Sequence, residues 1–215
     1  MPRMLRINEI FHSIQGESTH AGRPCVFVRL TGCNLRCVWC DTAYAFHEGT
    51  SMAVDEVIDR VTAYRCGLVE VTGGEPLLQP DVIELMQGLL SRGLEVLLET
   101  GGSLPIDAVP EGVRRIVDIK CPGSGESDRN RWENLDALRA GDELKFVIAN
   151  RADYEWAAAV LRERALDDRA PVLFSPVHAG LDGADLAGWV LADRLLVRVQ
   201  VQMHKILWPG VARGV

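Results

Sequence analysis

Apolar positions in this chain recur with two different periods. Short runs rich in β-branched and aromatic residues stand at 25–30, 68–72, 94–99, 115–120, 143–149, 171–174 and 195–201, each the length of a strand. Between them the spacing widens to that of a helix. Val54, Val57, Ile58 and Val61 follow the i, i+3, i+4, i+7 rule, and so do Val82, Leu85, Met86, Leu89 and Leu90, in a segment opened by Pro80 and closed by Gly93. Strands alternating with helices predict a mostly parallel sheet with right-handed crossovers. Period alone leaves two α/β architectures open: an open doubly wound sheet, or one curved toward a barrel. No repeat or low-complexity stretch interrupts the pattern, so residues 1–215 are expected to form one domain. In either architecture the chemistry is expected where strands end and loops begin.

Composition narrows the class. With 47% hydrophobic residues the chain can bury a full core. The formal charge of −7, with basic residues forming neither run nor stripe, argues against a nucleic-acid partner and for a small ligand. No apolar stretch is long enough to span a membrane, and the segment Met1-Pro2-Arg3-Met4-Leu5-Arg6-Ile7-Asn8-Glu9 lacks the apolar core of a secretion signal. A cytoplasmic protein without a membrane partner is the expectation. Six Cys in 215 residues are too few for a disulfide framework, and free thiols suit that compartment. Cys25, inside an apolar run, reads as a small buried hydrophobe. Cys66 and Cys121 read as packing residues, with a second reading for Cys121 as a ligand or redox partner beside a candidate loop.

The other three Cys stand together, as Cys33-Asn-Leu-Arg-Cys37-Val-Trp-Cys40. Three thiolates in one turn can bind three irons of a [4Fe–4S] cluster and leave the fourth iron open to another ligand. A zinc site could recruit His47 or Cys66 as fourth ligand, although no second C-x2-C or H-x3-H pair follows. The C-x3-C-x2-C spacing, with Trp39 before the last Cys, resembles the radical S-adenosylmethionine (SAM) superfamily. That resemblance implies an incomplete (βα)6 radical SAM barrel, with the methionyl amino and carboxylate groups of SAM on the open iron. Thr72-Gly73-Gly74-Glu75-Pro76, by itself an ordinary strand-to-helix turn, then resembles the superfamily's Gly-Gly-Glu motif, which receives the methionyl amino group. Trp39, Cys40 and Asp41 would border the adenine. Lys120 and Ser124, and likewise Ser175, are candidates for the ribose or carboxylate of SAM, against the plainer reading of Gly- and Ser-rich turns.

Both ends of the chain add a finer resemblance. Glu9-Ile10-Phe11-His12-Ser13-Ile14-Gln15-Gly16-Glu17-Ser18, Cys40-Asp41-Thr42 and Val199–Trp208 closely resemble the 7-carboxy-7-deazaguanine synthase family of queuosine and 7-deazapurine biosynthesis, and the similarity spans nearly the whole chain. The implied reaction is that of a carbon–nitrogen lyase. A 5′-deoxyadenosyl radical from SAM removes hydrogen from C6 of 6-carboxy-5,6,7,8-tetrahydropterin, and ring contraction expels ammonia to leave 7-carboxy-7-deazaguanine. No side chain is required as a strong acid or base. The resemblance implies substrate contacts from Glu17, Gln15 and the backbone of Ile14 to Gly16 on the guanidine-like edge. It further implies Arg29 with His204 or Lys205 on the carboxylate, Thr72 nearby, and Val215 through the terminal carboxylate. Thr42 would ligate a Mg2+, whose preference is for hard oxygen donors, or else simply cap a helix. A flavodoxin or ferredoxin-type reductant and a homodimer follow from the family alone. A glycyl-radical-enzyme activase and a non-catalytic iron–sulfur or zinc protein remain as rivals.

Overall fold

Among the described residues nine strands are present: β1 (Met4–Ile14), β2 (Pro24–Leu30), β3 (Thr50–Ala53), β4 (Leu68–Gly73), β5 (Glu95–Thr100), β6 (Arg114–Asp118), β7 (Glu143–Ile148), β8 (Val172–Pro176) and β9 (Arg198–Val199). The helices are α1 (Val54–Ala63), α2 (Val82–Ser91), α3 (Arg151–Arg164), α4 (Gly183–Asp193) and α5 (Met203–Leu207). The computed structural model describes residues 3–215, so Met1 and Pro2 of the N-terminal segment read above lie outside the described residues. All strands join one sheet in the order β3-β1-β2-β4-β5-β6-β7-β8-β9. From β2 through β9 every pairing is parallel, and β1 and β3 extend the sheet antiparallel beyond β2. The sheet is thus mostly parallel, as the alternation predicts, and open at both edges.

The predicted helical stripes are the buried faces of α1 and α2. The last predicted strand, 195–201, contracts to Arg198–Val199, because β9 has one neighbour and meets it at only Leu173↔Arg198 and Phe174↔Val199. Among the described residues, two crossovers, 101–113 and 119–142, contain only turns and short 3-10 segments where a helix is the usual connection. Pro105 and Pro110 in the first, and Pro122, Gly123 and Gly125 in the second, disfavour a continuous helix there. Arg115 on β6 ties both down. Its fully buried guanidinium pairs with Asp142 and donates to the carbonyls of Ile106 and Ala137 at 3.1 and 2.7 Å.

Periodicity also missed β1 and β3. In β1 the register slips between Ile7 and Glu9, a bulge that switches the strand's faces. Leu5, Ile7 and Ile10 therefore pack on the helix side, while Glu9 and Phe11 face inward, so no single alternation runs through the strand. On the inner side a smaller cluster of Phe11, Cys25, Phe27, Leu68, Leu97 and Ile116 fills the lower part of the sheet's concavity. Residues 15–23 close that end. They cross from Gln15, bonded to Glu70 on β4, to Glu17, paired with Lys145 on β7, and Thr19 N donates to Glu143 at 3.0 Å. The cavity left above opens at the C-terminal strand ends. Cys25 is buried and Cys66 half-buried against both apolar clusters, matching their reading as packing residues; Cys121 is buried as well but also borders the cavity. Among the described residues no helix is long and apolar enough to cross a membrane.

Candidate active site

A cavity of ≈ 350 Å³ lies at the C-terminal ends of the strands, within the size range of small-molecule sites. Its upper wall is the loop after β2. Cys33, Cys37 and Cys40 all line the cavity and are free thiols. The turn is closed within by Cys40 N donating to the Cys37 carbonyl at 3.1 Å and fastened from outside by Val38 N to the Ser124 carbonyl at 3.0 Å and Arg36 N to Glu126 at 2.6 Å. Burial, with Asp118 and the neighbouring Cys40 and Cys33, raises the Cys37 thiol overall, and only the nearby Lys120 ammonium acts against it. Among the described residues no three His, Cys, Asp or Glu side chains converge as a single-ion site would demand. Three thiols set along one cavity wall instead fit a cluster in which each sulfur meets a different iron.

The glycine pair after β4 explains how the next loop approaches. A Cβ on Gly73, whose φ is +151°, would sit 2.4 Å from the Leu30 carbonyl oxygen, and one on Gly74 would sit 2.2 Å from the Gly32 oxygen and 2.7 Å from Cys33 Cβ. Only glycine lets this backbone lie against the cysteine loop. The Glu75 side chain, expected among the SAM contacts, turns elsewhere. It is fully buried, and its oxygens accept from Thr100 Oγ1, Gly101 N and Leu77 N at 2.8–3.0 Å, which stitches the β4 and β5 loops together. The motif thus offers the cavity its backbone. Ser124 lines the cavity, yet its hydroxyl donates to the Cys121 carbonyl at 2.6 Å. Ser175 differs: its buried hydroxyl reaches the cavity wall with no hydrogen-bond partner among the described residues, as a ligand site would leave it. Trp39, Asp41, Thr42 and Thr72 also line the space. Thr42 precedes a 3-10 turn but makes no capping bond, and its Oγ1 stands 3.8 Å from Cys40 Sγ, so the plain cap reading lacks its hydrogen bond.

The floor is an ionic network that the motifs did not announce. Lys145 Nζ lies 3.0 Å from Glu17 and 3.4 Å from Asp118, and pairs with Glu99, while Lys120 pairs with Asp118. Burial works against the Lys145 ammonium, but Asp118, Glu17 and Glu99 outweigh it and hold its pKa well above the usual value. Glu99 responds in kind: burial would raise it, and Lys145 brings it below the ordinary carboxylate range. Glu70 forms no ion pair, and burial with Glu99 nearby raises it well above that range against the pull of Lys145.

Each predicted substrate residue reaches this cavity, several with prior partners. Arg29 donates from Nε to Glu9 at 2.8 Å, and the Tyr44 hydroxyl donates to the same oxygen at 2.8 Å. Glu17 also accepts from Gln202 Nε2 at 2.8 Å, and Gln15 is braced between Glu70 and Glu17 N. His204 and Lys205 belong to the short helix α5. Met203 N donates to the Gly16 carbonyl at 3.0 Å, and a Cβ on Gly16 would stand 2.4 Å from His204 Nδ1. Lys205 pairs with Asp41 at 3.2 Å, and although burial raises the Asp41 carboxyl, that cation lowers it overall. Ile14 and the tail to Val215 complete the lining, and Arg213 covers the Tyr44 ring at 4.0 Å. Sequence reading missed Glu9, Tyr44, Glu70, Glu99, Asp118, Lys145 and Gln202 as site groups. For Glu70 and Lys145 a signal existed: a charged residue set among buried apolar neighbours on a strand, on the face that alternation turns inward.

Residues 27–122, which include the cysteine loop and the glycine pair, match the Radical SAM superfamily. The chain is 47% identical over 226 residues to the 7-carboxy-7-deazaguanine synthase of Koribacter versatilis, covering 98% of this chain and 100% of that protein. It is 48% identical over 214 residues to that of Chlorobaculum tepidum, covering 98% and 97%. The fold resembles the crystal structure of QueE from Escherichia coli with a TM-score of 0.78 at 21% identity, covering 94% of this chain and 95% of that one. The chain therefore belongs to the 7-carboxy-7-deazaguanine synthase family of radical SAM proteins.

Proposed function

We propose that this chain is the lyase its relatives are named for, converting 6-carboxy-5,6,7,8-tetrahydropterin to 7-carboxy-7-deazaguanine with loss of ammonia. One observation carries the reading: the three-cysteine wall and the polar floor face a single cavity, in a chain nearly half identical, over its whole length, to named synthases. When bound, the cluster and SAM supply the carbon-centred radical that begins the reaction. The protein supplies placement. Cys33, Cys37 and Cys40 hold the cluster, the backbone of Gly73 and Gly74 and the unpartnered Ser175 hydroxyl suit SAM, and Lys120 with Ser124 flanks it. Arg29, His204 and Lys205 offer positive or hydrogen-bonding groups to the substrate carboxylate. The Thr42 hydroxyl, which makes no cap and meets only the Cys40 sulfur at 3.8 Å, suits Mg2+, which would orient that carboxylate. Floor residues 15–23 and the tail ending in Val215 keep water from the reacting centre. A flavodoxin or ferredoxin-type protein as electron donor and a homodimeric assembly complete the proposal.

The test is anaerobic reconstitution with iron and sulfide, then incubation with SAM, reductant, Mg2+ and the carboxypterin. Equimolar ammonia and 7-carboxy-7-deazaguanine are expected by mass spectrometry. SAM cleavage that yields neither would point to the activase rival, and absence of a reducible cluster to a non-catalytic protein.

A further inference from the structure

The carboxylates around the cavity are not equivalent. Glu17 and Glu99 share Lys145, Asp118 stands between Lys145 and Lys120, Glu9 is held by Arg29, and Asp41 by Lys205. Glu70 is the exception. Its Oε2 accepts from the neutral amide of Gln15, and among the described residues no hydrogen bond or ion pair reaches Oε1. Yet it is only 4% exposed and lines the floor. Burial of a carboxyl without a cation is unfavourable unless hydrogen-bond donors meet it.

Resting on the carboxypterin reading above, we propose that Glu70 is the group that recognises the pterin's amidine edge, its two oxygens accepting from N3–H and the 2-amino group. That edge presents two N–H donors side by side, and a carboxylate is the side chain whose acceptors match them as a fork. Glu17, the carboxylate first expected there, already has both oxygens committed to Gln202 and Lys145. Gln15, with Nε2 on Glu70 and Oε1 on Glu17 N at 3.1 Å, is a positioning residue that aims the Glu70 carboxyl.

The groups facing Glu70 set its protonation before the ligand arrives. Burial, then the Glu99 carboxylate on β5 and Glu17 in the floor loop, favour the protonated acid, against the Lys145 ammonium on β7 and the Gln15 amide; the Cys25 thiol on β2 adds no cation. A protonated acid would point its O–H at one of the pterin donors. Any proton Glu70 carries must therefore leave for solvent on binding, so that a carboxylate accepts both.

The experiment titrates the reconstituted, SAM-loaded protein with 6-carboxytetrahydropterin and with its 2-oxo analogue, in which an acceptor replaces the 2-amino donor. Wild type should favour the pterin by roughly ten- to a hundredfold. Glu70→Gln, which offers one donor and one acceptor, should erase or invert that preference while SAM affinity stays unchanged. Glu17→Gln should retain it. An unchanged preference in folded, cluster-bearing Glu70→Gln overturns the proposal. If that variant does not fold, the wild type itself decides: equal affinity for the pterin and its 2-oxo analogue overturns the proposal. Failure of the underlying reading looks different, because wild type would then bind neither ligand while still binding SAM.

Discussion

Thr42 and Glu70 show how a single side chain in this cavity is defined by the partner it lacks. The Thr42 hydroxyl makes no cap, so Thr42→Ala should remove little fold stability. It should reduce the stimulation of turnover by Mg2+ and leave cluster content and SAM binding intact; equal stimulation of variant and wild type would return Thr42 to a plain turn residue. Glu70 makes a second prediction, on stability. Its folded pKa is raised well above the model-peptide value of 4.5, so the folded chain keeps a proton that the unfolded chain releases. That contribution is complete below pH 4.5 and is lost as pH rises through the folded value. Glu70→Gln has no such proton to lose, so its urea midpoint should gain on the wild type as pH is raised and approach it in acid. A difference that stays flat across pH would mean that Glu70 is not held protonated. Glu99 has the opposite sign, because Lys145 lowers it and its contribution disappears on acidification.

Elements matter here through where backbones touch. The loop after β4 packs on the cysteine loop because Gly74 has no side chain, and the nearest obstacles, the Gly32 carbonyl oxygen and Cys33 Cβ, belong to the loop that must hold the cluster. Gly74→Ala should therefore lower iron and sulfide incorporation severalfold, read by cluster absorbance, while the far-ultraviolet circular dichroism of the sheet is preserved. Normal incorporation would show that the two loops can separate without cost. The floor loop works similarly from below, since α5 docks on Gly16 and brings His204 and Lys205 to the cavity. A strand end could not have delivered both residues on one side, because consecutive strand residues point to opposite faces.

At the scale of the whole molecule, the crossovers without helices need another source of rigidity, and the fully buried Arg115–Asp142 pair provides it from the helix side of the sheet. Asp142→Ala would leave an uncompensated guanidinium and should lower unfolding free energy by about 3–5 kcal/mol in urea titration; a loss below about 1 kcal/mol would mean that the two crossovers stand without the pair. Much of the architecture was legible beforehand. The seven parallel strands, the buried stripes of α1 and α2, and the positions of the cysteine loop and glycine pair follow from spacing along the chain, because period and turn chemistry are local properties. The bulge in β1 was not legible, since one extra residue changes which side chains face inward without altering composition. Nor was the floor. Lys145 meets Glu17 across 128 positions of sequence, and Gln202 meets the same carboxylate across 185. The sequence by itself determined which chemistry the chain can carry, because ligand spacing in a single loop is written locally. Only the tertiary structure decided which carboxylates lining the cavity form ion pairs and which one was left with none, because that depends on how the curved sheet brings distant strands within hydrogen-bonding reach.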